Sequence, residues 1–339
     1  MSESSLYRTL IVGCGNIAGG FDASRTQTQL PLTHAGAYIK HGAFQIRACI
    51  DPDTDRLHDF SQRWNVSWKA RDFVELKANP GDFDVISICS PTVLHELHLV
   101  EALRLKPKVI FCEKPLTSDA SSCARLVASC REHGVTLAVN FSRYWDPTVE
   151  ELVHDIRLGR WGKVRSVVAH YNKGISNNGS HILDLLLRLI GPLDVLETTK
   201  PVYDYWPDDP TVGVLLTGCD GEVPIFMSPA HAHDYAFFEL ELVCELGVLR
   251  MESGGLIWQT RDVTTSEQFV GYKVLNPEKK TDGRYMEAML GAIENIHHHL
   301  RHGEDIRCTG VNALEIQSLC QKIKLMTHER KAFKTRGIT

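Results

Sequence analysis

The first part of the chain alternates solid apolar runs with amphipathic ones. RTLIVGC, FQIRACID, FDVISICSP, KVIFCEKP and VTLAVNF are apolar at most positions. Between them, PLTHAGAYIKH, DTDRLHDFSQRW, HELHLVEALRL and DASSCARLVASCREHG repeat apolar residues at three- and four-residue intervals. A strand apolar on both sides must be covered on both faces, so the pattern predicts a parallel sheet with helices above and below it. The rhythm changes near Ser142. DPTVEELVHDIRLG reads as one more helix, closed by Gly159. Beyond it KVRSVVAHYN, TVGVLLTG, FFELELVCE and GVLRMES alternate roughly every second residue, and CDGE supplies turn chemistry. That predicts hairpins in a mainly antiparallel sheet. Helical blocks at about 284–301 and 311–329 complete the chain. The fold class is α/β: a doubly wound Rossmann domain over residues 1–142, then an α+β domain with an open, mainly antiparallel sheet over 143–339. A length of 339 residues suits two domains.

Composition narrows the partners. A hydrophobic share of 43% and a charged share of 23% are those of an ordinary globular protein. The net charge of −5, with no long Lys/Arg run, argues against nucleic acid. No uncharged apolar stretch reaches the ~18 residues of a membrane span, and the N-terminus lacks the pattern of a secretory leader. The 10 cysteines form no C-x-x-C pair and sit mostly in apolar elements. Reduced, buried thiols and a cytoplasmic location are expected. IHHHLRH places His298 and His302 one turn apart, but with no carboxylate or cysteine partner in view it reads as a solvated helix face, and no metal is predicted.

LIVGCGNIAGG follows the first strand with Gly13, Gly15 and Ala18 in the G-x-G-x-x-G/A pattern. Gly13 permits the tight turn, Gly15 lets backbone approach a pyrophosphate, and Ala18 lets helix pack on strand. Asn16 and Ile17 open the helix whose N–H groups would meet the phosphates. Asp51, ending the second strand, can accept from ribose hydroxyls and would repel a 2′-phosphate, which favours NAD over NADP. It stands 38 residues after Gly13, against about 20 in the usual motif. The excess lies in a polar insertion, Phe21–Pro31, which either touches cofactor or substrate or is a neutral surface loop.

GCGNIA, then ICSPTVLHELHLVEAL with CEKPLT, then NGSHILDLL, with EDIRCTGVNALEIQ as weaker support, together resemble the glucose–fructose oxidoreductase/inositol dehydrogenase family, Gfo/Idh/MocA. The resemblance implies an NAD-dependent dehydrogenase acting on a sugar, cyclitol or nucleotide sugar, assembled as a homo-dimer or homo-tetramer. In EKP, Glu113 and Lys114 would border the cofactor, with Lys114 reaching the reacting oxygen and the nicotinamide ribose; the Lys114–Pro115 peptide is expected to be cis. Ser90, Pro91, Thr92 and His95 match the turn beside the cofactor, though His95 equally suits an ordinary polar helix start. His181 is the candidate acid/base, because imidazole titrates near neutrality.

The chain departs from the family's D-x-x-x-H pattern, since Asn177 occupies the aspartate position. An amide cannot carry the proton. Asn177 is therefore a substrate positioner, or with Asn178 a helix cap. Asp184, three residues after His181, could orient the imidazole or bond to backbone. Arg143 matches a family position near the substrate. Tyr171 and Lys173 precede the NGSH segment as substrate-binding candidates, and Lys173 could take an anionic group or be a solvated strand-end lysine. HAHD, at 231–234, is a further pocket-lining candidate that no motif supports. Two alternatives remain: an enzyme that retains NAD while transient oxidation drives an elimination, glycosidase-like, and a non-enzymatic NAD or sugar sensor.

Overall fold

A computed structural model describes residues 6–26, 28–230 and 233–336. The chain divides into two compact units, 1–146 with 286–315, and 147–285 with 316–339.

The first unit runs β1 (Tyr7–Val12), α1 (His34–His41), β2 (Phe44–Ile50), α2 (Thr54–Arg63), β3 (Trp68–Ala70), α3 (Phe73–Leu76), β4 (Val85–Ile88), α4 (His95–Arg104), β5 (Val109–Cys112), α5 (Ala120–Glu132) and β6 (Thr136–Val139). All six strands are parallel, in the order β3-β2-β1-β4-β5-β6. This is the doubly wound order, whose direction switches between β1 and β4, where such sheets bind ligands beyond the carboxyl ends of their strands. Every residue of β4 and β5 is buried, as expected of strands covered on both faces.

The second unit runs α6 (Pro147–Arg157), β7 (Val164–Tyr171), a π-helical turn (Gly174–Gly179), α7 (Ser180–Ile190), β8 (Leu193–Thr198), β9 (Val214–Gly218), β10 (Val223–Pro229), β11 (Phe238–Cys244), β12 (Gly247–Glu252), β13 (Ile257–Thr265), β14 (Lys273–Leu275) and β15 (Lys279–Asp282). Its nine-stranded sheet has the order β14-β13-β12-β11-β7-β10-β9-β8, with β15 beside β13. Only the β7–β10 pair is parallel. Burial alternates along β11, one side packed and the other open. The core side is covered by α7, whose residues from Ser180 to Leu186 are all buried.

The domain expectation needs correcting at both ends. The division falls after Asp146, so Arg143 belongs to the first unit. The segment 286–315, with α8 (Ala288–His302), returns to that unit, because α8 packs on α1 and on the turn Ser142–Trp145. A bridge between Ala138 and Thr309 fastens the return to β6. The last helix, α9 (Gly310–Arg336), passes from the first unit to the second at Ile316. All ten cysteines are free thiols, and only Cys219 is exposed. Among the described residues, no helix is long and apolar enough to cross a membrane.

Candidate functional site

The glycine turn is built from its backbone. Gly13 has φ +90°, and a Cβ there would stand 2.7 Å from the Ser90 N and 2.8 Å from its Cα. Side-chain absence thus lets the ends of β1 and β4 touch. The N–H of Gly13 donates to the Ile50 carbonyl at 2.8 Å. The Cys14 N–H donates to Asp51 Oδ2 at 2.8 Å, and the Asp53 N–H to Asp51 Oδ1 at 2.9 Å. Asp51 is buried. Its carboxylate therefore ties the glycine turn to the end of β2, a task that the ribose-binding reading did not foresee. Arg56 comes within 3.7 Å of the same carboxylate.

The helix expected directly after the glycines is split. Gly15 to Phe21 form one turn, in which the N–H groups of Gly19 and Gly20 donate to the Gly15 carbonyl. The chain then leaves through the insertion, of which Gln27 lies outside the described residues, and α1 begins only at His34. The N–H groups of His34 and Ala35 donate to the carbonyls of Ile17 and Ala18, so α1 stacks under the broken turn. Thr33 Oγ1 accepts from the Gly36 N–H. Asp22, buried within the insertion, accepts from the N–H groups of Leu32 and Thr33 and from the Thr33 hydroxyl. The amino end of α1 is thus already satisfied, which corrects the expectation that it meets phosphates. The N–H groups of Gly15, Asn16 and Ile17 have no hydrogen-bond partner among the described residues. A Cβ on Gly15 would meet no atom within 4 Å. The turn itself therefore carries the free donors that an anion cradle requires.

At the ends of β4, β5 and β6 a polar chain crosses the sheet. The Tyr38 and Ser87 hydroxyls are 2.8 Å apart, Ser87 lies 3.2 Å from His34 Nδ1, and His34 Nε2 lies 2.9 Å from Glu113 Oε1. The Asn140 amide donates to the same Glu113 oxygen at 2.7 Å. Burial alone would raise the Glu113 pKa, but the hydrogen bond and charge of His34, the Asn140 amide and the Lys114 charge outweigh it and hold it below its ordinary value. Glu113 is thereby an anchored anion, and it fixes the backbone that carries Lys114. Sequence reasoning missed His34, Ser87 and Asn140. Their only signal was that each stands at the end of an element facing the same sheet edge. The Lys114–Pro115 peptide is cis, as expected.

His95 is buried, with Nδ1 2.9 Å from the Pro115 carbonyl and Nε2 2.8 Å from the Ser90 carbonyl. Both ring nitrogens serve the protein. His95 is a brace between the Ser90–Thr92 turn and the EKP turn, which corrects its assignment as a cofactor contact. Ser90 is further held by His98 Nδ1 at 2.8 Å from its hydroxyl. Pro91 is exposed, and Thr92 opens a 3-10 turn, Thr92–Leu94. Arg143 is buried in the 3-10 turn Ser142–Trp145 that follows β6.

In the second unit the NGSH segment is a π-helical turn running into α7. Such turns shift the register of side chains and recur at functional sites. Gly174 has φ +92°, and a Cβ on it would collide with the Asp209 carboxylate. That carboxylate accepts from the Ser176 N–H at 3.0 Å and the Asn177 N–H at 2.9 Å, and it pairs with the Lys324 ammonium at 3.0 Å. Asp209, from the loop before β9, therefore caps the helix. The N-cap positions are Lys173 for the π-helical turn and Gly179 for α7, so neither Asn177 nor Asn178 stands at a cap, which corrects the capping alternative; Asn178 points its amide towards Asn172 Oδ1, 3.5 Å away. Replacing Asp209 by Asn leaves one oxygen for two N–H donors and sets an NH₂ against one of them. Asp209→Asn is expected to cost about 1–3 kcal/mol, read as a lower urea midpoint at unchanged slope.

His181 and Asp184 both lie buried on α7, and the His181 ring meets Phe238 edge-on at 6.4 Å between centroids. Tyr171 turns into the core. It is fully buried, its hydroxyl donates to the Val212 carbonyl and accepts from the Val212 N–H, and burial drives its phenol pKa far up. It is structural. Lys173 sets its ammonium 4.9 Å over the Tyr205 ring, a cation–π partner within the protein. In HAHD, His231 lies outside the described residues.

Residues 7–141 match the family described as "Oxidoreductase family, NAD-binding Rossmann fold" (GFO_IDH_MocA). The "Uncharacterized oxidoreductase YrbE" of Bacillus subtilis is 34% identical over 118 residues, 35% of this chain and 34% of that protein. The first relatives are thus matched over only about a third of their length. An "Inositol 2-dehydrogenase" of Burkholderia lata is 26% identical over 260 residues, 71% of this chain and 72% of the relative. Among solved structures, the WlbA dehydrogenase of Bordetella pertussis, in complex with NADH and UDP-GlcNAcA, has a TM-score of 0.75 at 17% identity, covering 95% of this chain and 97% of that one. The sheet order, the glycine turn and these likenesses agree: residues 7–141 form a nucleotide-binding domain that matches the Gfo/Idh/MocA oxidoreductase family.

Proposed function

We propose that this protein is an NAD-dependent oxidoreductase that moves a hydride to or from a ring carbon of a sugar, cyclitol or nucleotide sugar. The observation that carries the reading is the glycine turn, with three N–H groups unpartnered and its backbone clamped by a buried Asp51. Gly13, Gly15, Asn16 and Ile17 would hold the pyrophosphate, and the Asp51 end of β2 the adenosine ribose. A nicotinamide supplies the hydride acceptor or donor when bound. Lys114 would hold the reacting oxygen and His181 would take or give its proton, because a secondary alcohol loses hydride and proton together. Asn177 would position substrate without titrating. The named activities of the relatives support the substrate class. The preference for NAD over NADP rests on the Asp51 carboxylate, which would repel a 2′-phosphate. Self-association as a dimer or tetramer is supported by a cross-strand apolar row on the open sheet face, Leu215, Phe226 and Val168.

The test is a screen of cyclitols, sugars and nucleotide sugars for NAD reduction, followed by Asn177→Ala on the best substrate. A positioner lost without the proton carrier is expected to raise KM about tenfold or more and change kcat little. An equal fall in kcat and kcat/KM would instead put Asn177 in the chemical step. NAD binding with no turnover on any substrate would favour the sensor.

A further inference from the structure

The helices α1 and α8 meet along a line that carries histidines unused by the proposed reaction. His41 is the last residue of α1. Tyr7 and Phe44, the first residues of β1 and β2, pack their rings 6.0 and 6.1 Å from that of His297. The cluster therefore sits at the amino edge of the parallel sheet, opposite the edge where Gly13, Ser90 and Glu113 leave their strands.

Glu294 and His297 stand three apart on α8, so one face presents both. The facing helix adds His41. One ligand atom from each of the three lies within 4.8 Å of the other two. His41 Nε2 is 2.9 Å from Glu294 Oε2, and the second carboxylate oxygen is 2.9 Å from His298 Nε2. The rings of His41 and His297 are 4.7 Å apart. His297 Nδ1 is buried with no hydrogen-bond partner among the described residues. A buried polar atom left so calls for an explanation, and an ion is one. Arg301 adds a positive charge one turn on, against the negative charges of Glu294 and of Glu304, which is 3.3 Å from His298 Nδ1.

We infer that His41, Glu294 and His297 form a binding site for a divalent transition metal ion of the zinc class. Two imidazole nitrogens and one carboxylate oxygen are a zinc-type ligand set, and imidazole favours such ions over magnesium or calcium. Glu294 is about half exposed, so solvent reaches the site and can fill the remaining position. Because the site lies away from the cofactor edge, its ion is a cross-link between α1 and the returning helix α8 rather than a participant in hydride transfer. The sequence reading of IHHHLRH as a bare solvated face overlooked Glu294 one turn earlier, and His41 could not be seen from sequence at all.

Zinc binding is to be measured on the full chain, stripped with chelator, by competition with a chromophoric chelator. The expected result is one ion per chain, a Tm that rises with zinc, and an affinity that falls at least tenfold in His41→Ala and in His297→Ala. His58→Ala, at an exposed position of α2, is the matched control and keeps wild-type affinity. Glu294→Gln, which preserves shape, guards against misfolding as the cause and is also expected to weaken binding. The inference is overturned if no stoichiometric ion binds. It is equally overturned if the affinity survives in both His41→Ala and His297→Ala, or if only His298→Ala or His302→Ala lowers it.

Discussion

Replacing His181 by Ala is expected to lower kcat about 10²–10⁴-fold, the usual contribution of one positioned acid/base, and to leave NAD affinity unchanged. The two readouts separate because the groups belong to different units: the glycine turn and Asp51 to the first, His181 to the second. His181 has a rigid mount. It is the second residue of α7, whose face is buried from Ser180 to Leu186, and the turn before it is held by the Asp209 carboxylate. Arg188 on the same helix pairs with Glu150 of α6 at 2.8 Å. A truncated ring would therefore remove the proposed proton carrier while the backbone stays in place. With Asn at 177, no carboxylate four residues away can take over the proton. Stopped-flow reduction of NAD on the confirmed substrate measures the chemical step directly. His181→Ala turning over near the wild-type rate, with the same substrate, would remove His181 from the chemistry and leave Lys114 as the candidate.

The parts of this site legible in sequence are those whose chemistry is local. G-x-G-x-x-A demands its residues within one turn, and EKP and NGSH are equally compact. Periodicity gave both sheets, because burial on one or two faces is written at every position of a strand. What stayed hidden was long-range pairing. Nothing in the segment 174–179 announces that its cap is Asp209, over thirty residues downstream, and the nearer asparagines are good caps by type. Likewise Tyr171 looked like a pocket residue because it abuts the NGSH segment, yet strand alternation aims its ring inward to Val212. The insertion concealed a split helix: Ile17 and Ala18 pair with His34 and Ala35 across it, so the helix continues in space though not in sequence. The same separation hid the bond from His34 to Glu113.

Gly13→Ala and Gly15→Ala are expected to fail in opposite ways. At Gly13 the backbone φ is +90°, where an L residue is strained by about 1–3 kcal/mol. The added methyl would also stand 2.7–2.9 Å from Ser90 N, Ser90 Cα and the Cys89 carbonyl carbon. These are backbone atoms in the first residues past β4, braced by His95 and by the Cys89 N–H bond to the Val12 carbonyl, so they cannot turn aside as a flexible side chain would. Overpacking of that kind costs a further ~1–3 kcal/mol. Against a domain stability of about 5–15 kcal/mol, Gly13→Ala should lower Tm by roughly 5–15 °C and lose the cofactor with the fold. At Gly15 nothing lies within 4 Å of the new methyl and φ is not positive, so stability should change by no more than about 0.5 kcal/mol. The methyl instead enters the space that a pyrophosphate would need in order to approach the N–H groups of Gly15, Asn16 and Ile17. NAD affinity should then fall about tenfold or more with Tm unmoved, measured by calorimetry and thermal melting on one preparation. A Gly15→Ala protein that binds NAD as tightly as wild type would show that the phosphates do not lie on this turn. The first variant tests why the chain turns there, and the second tests what the turn is for.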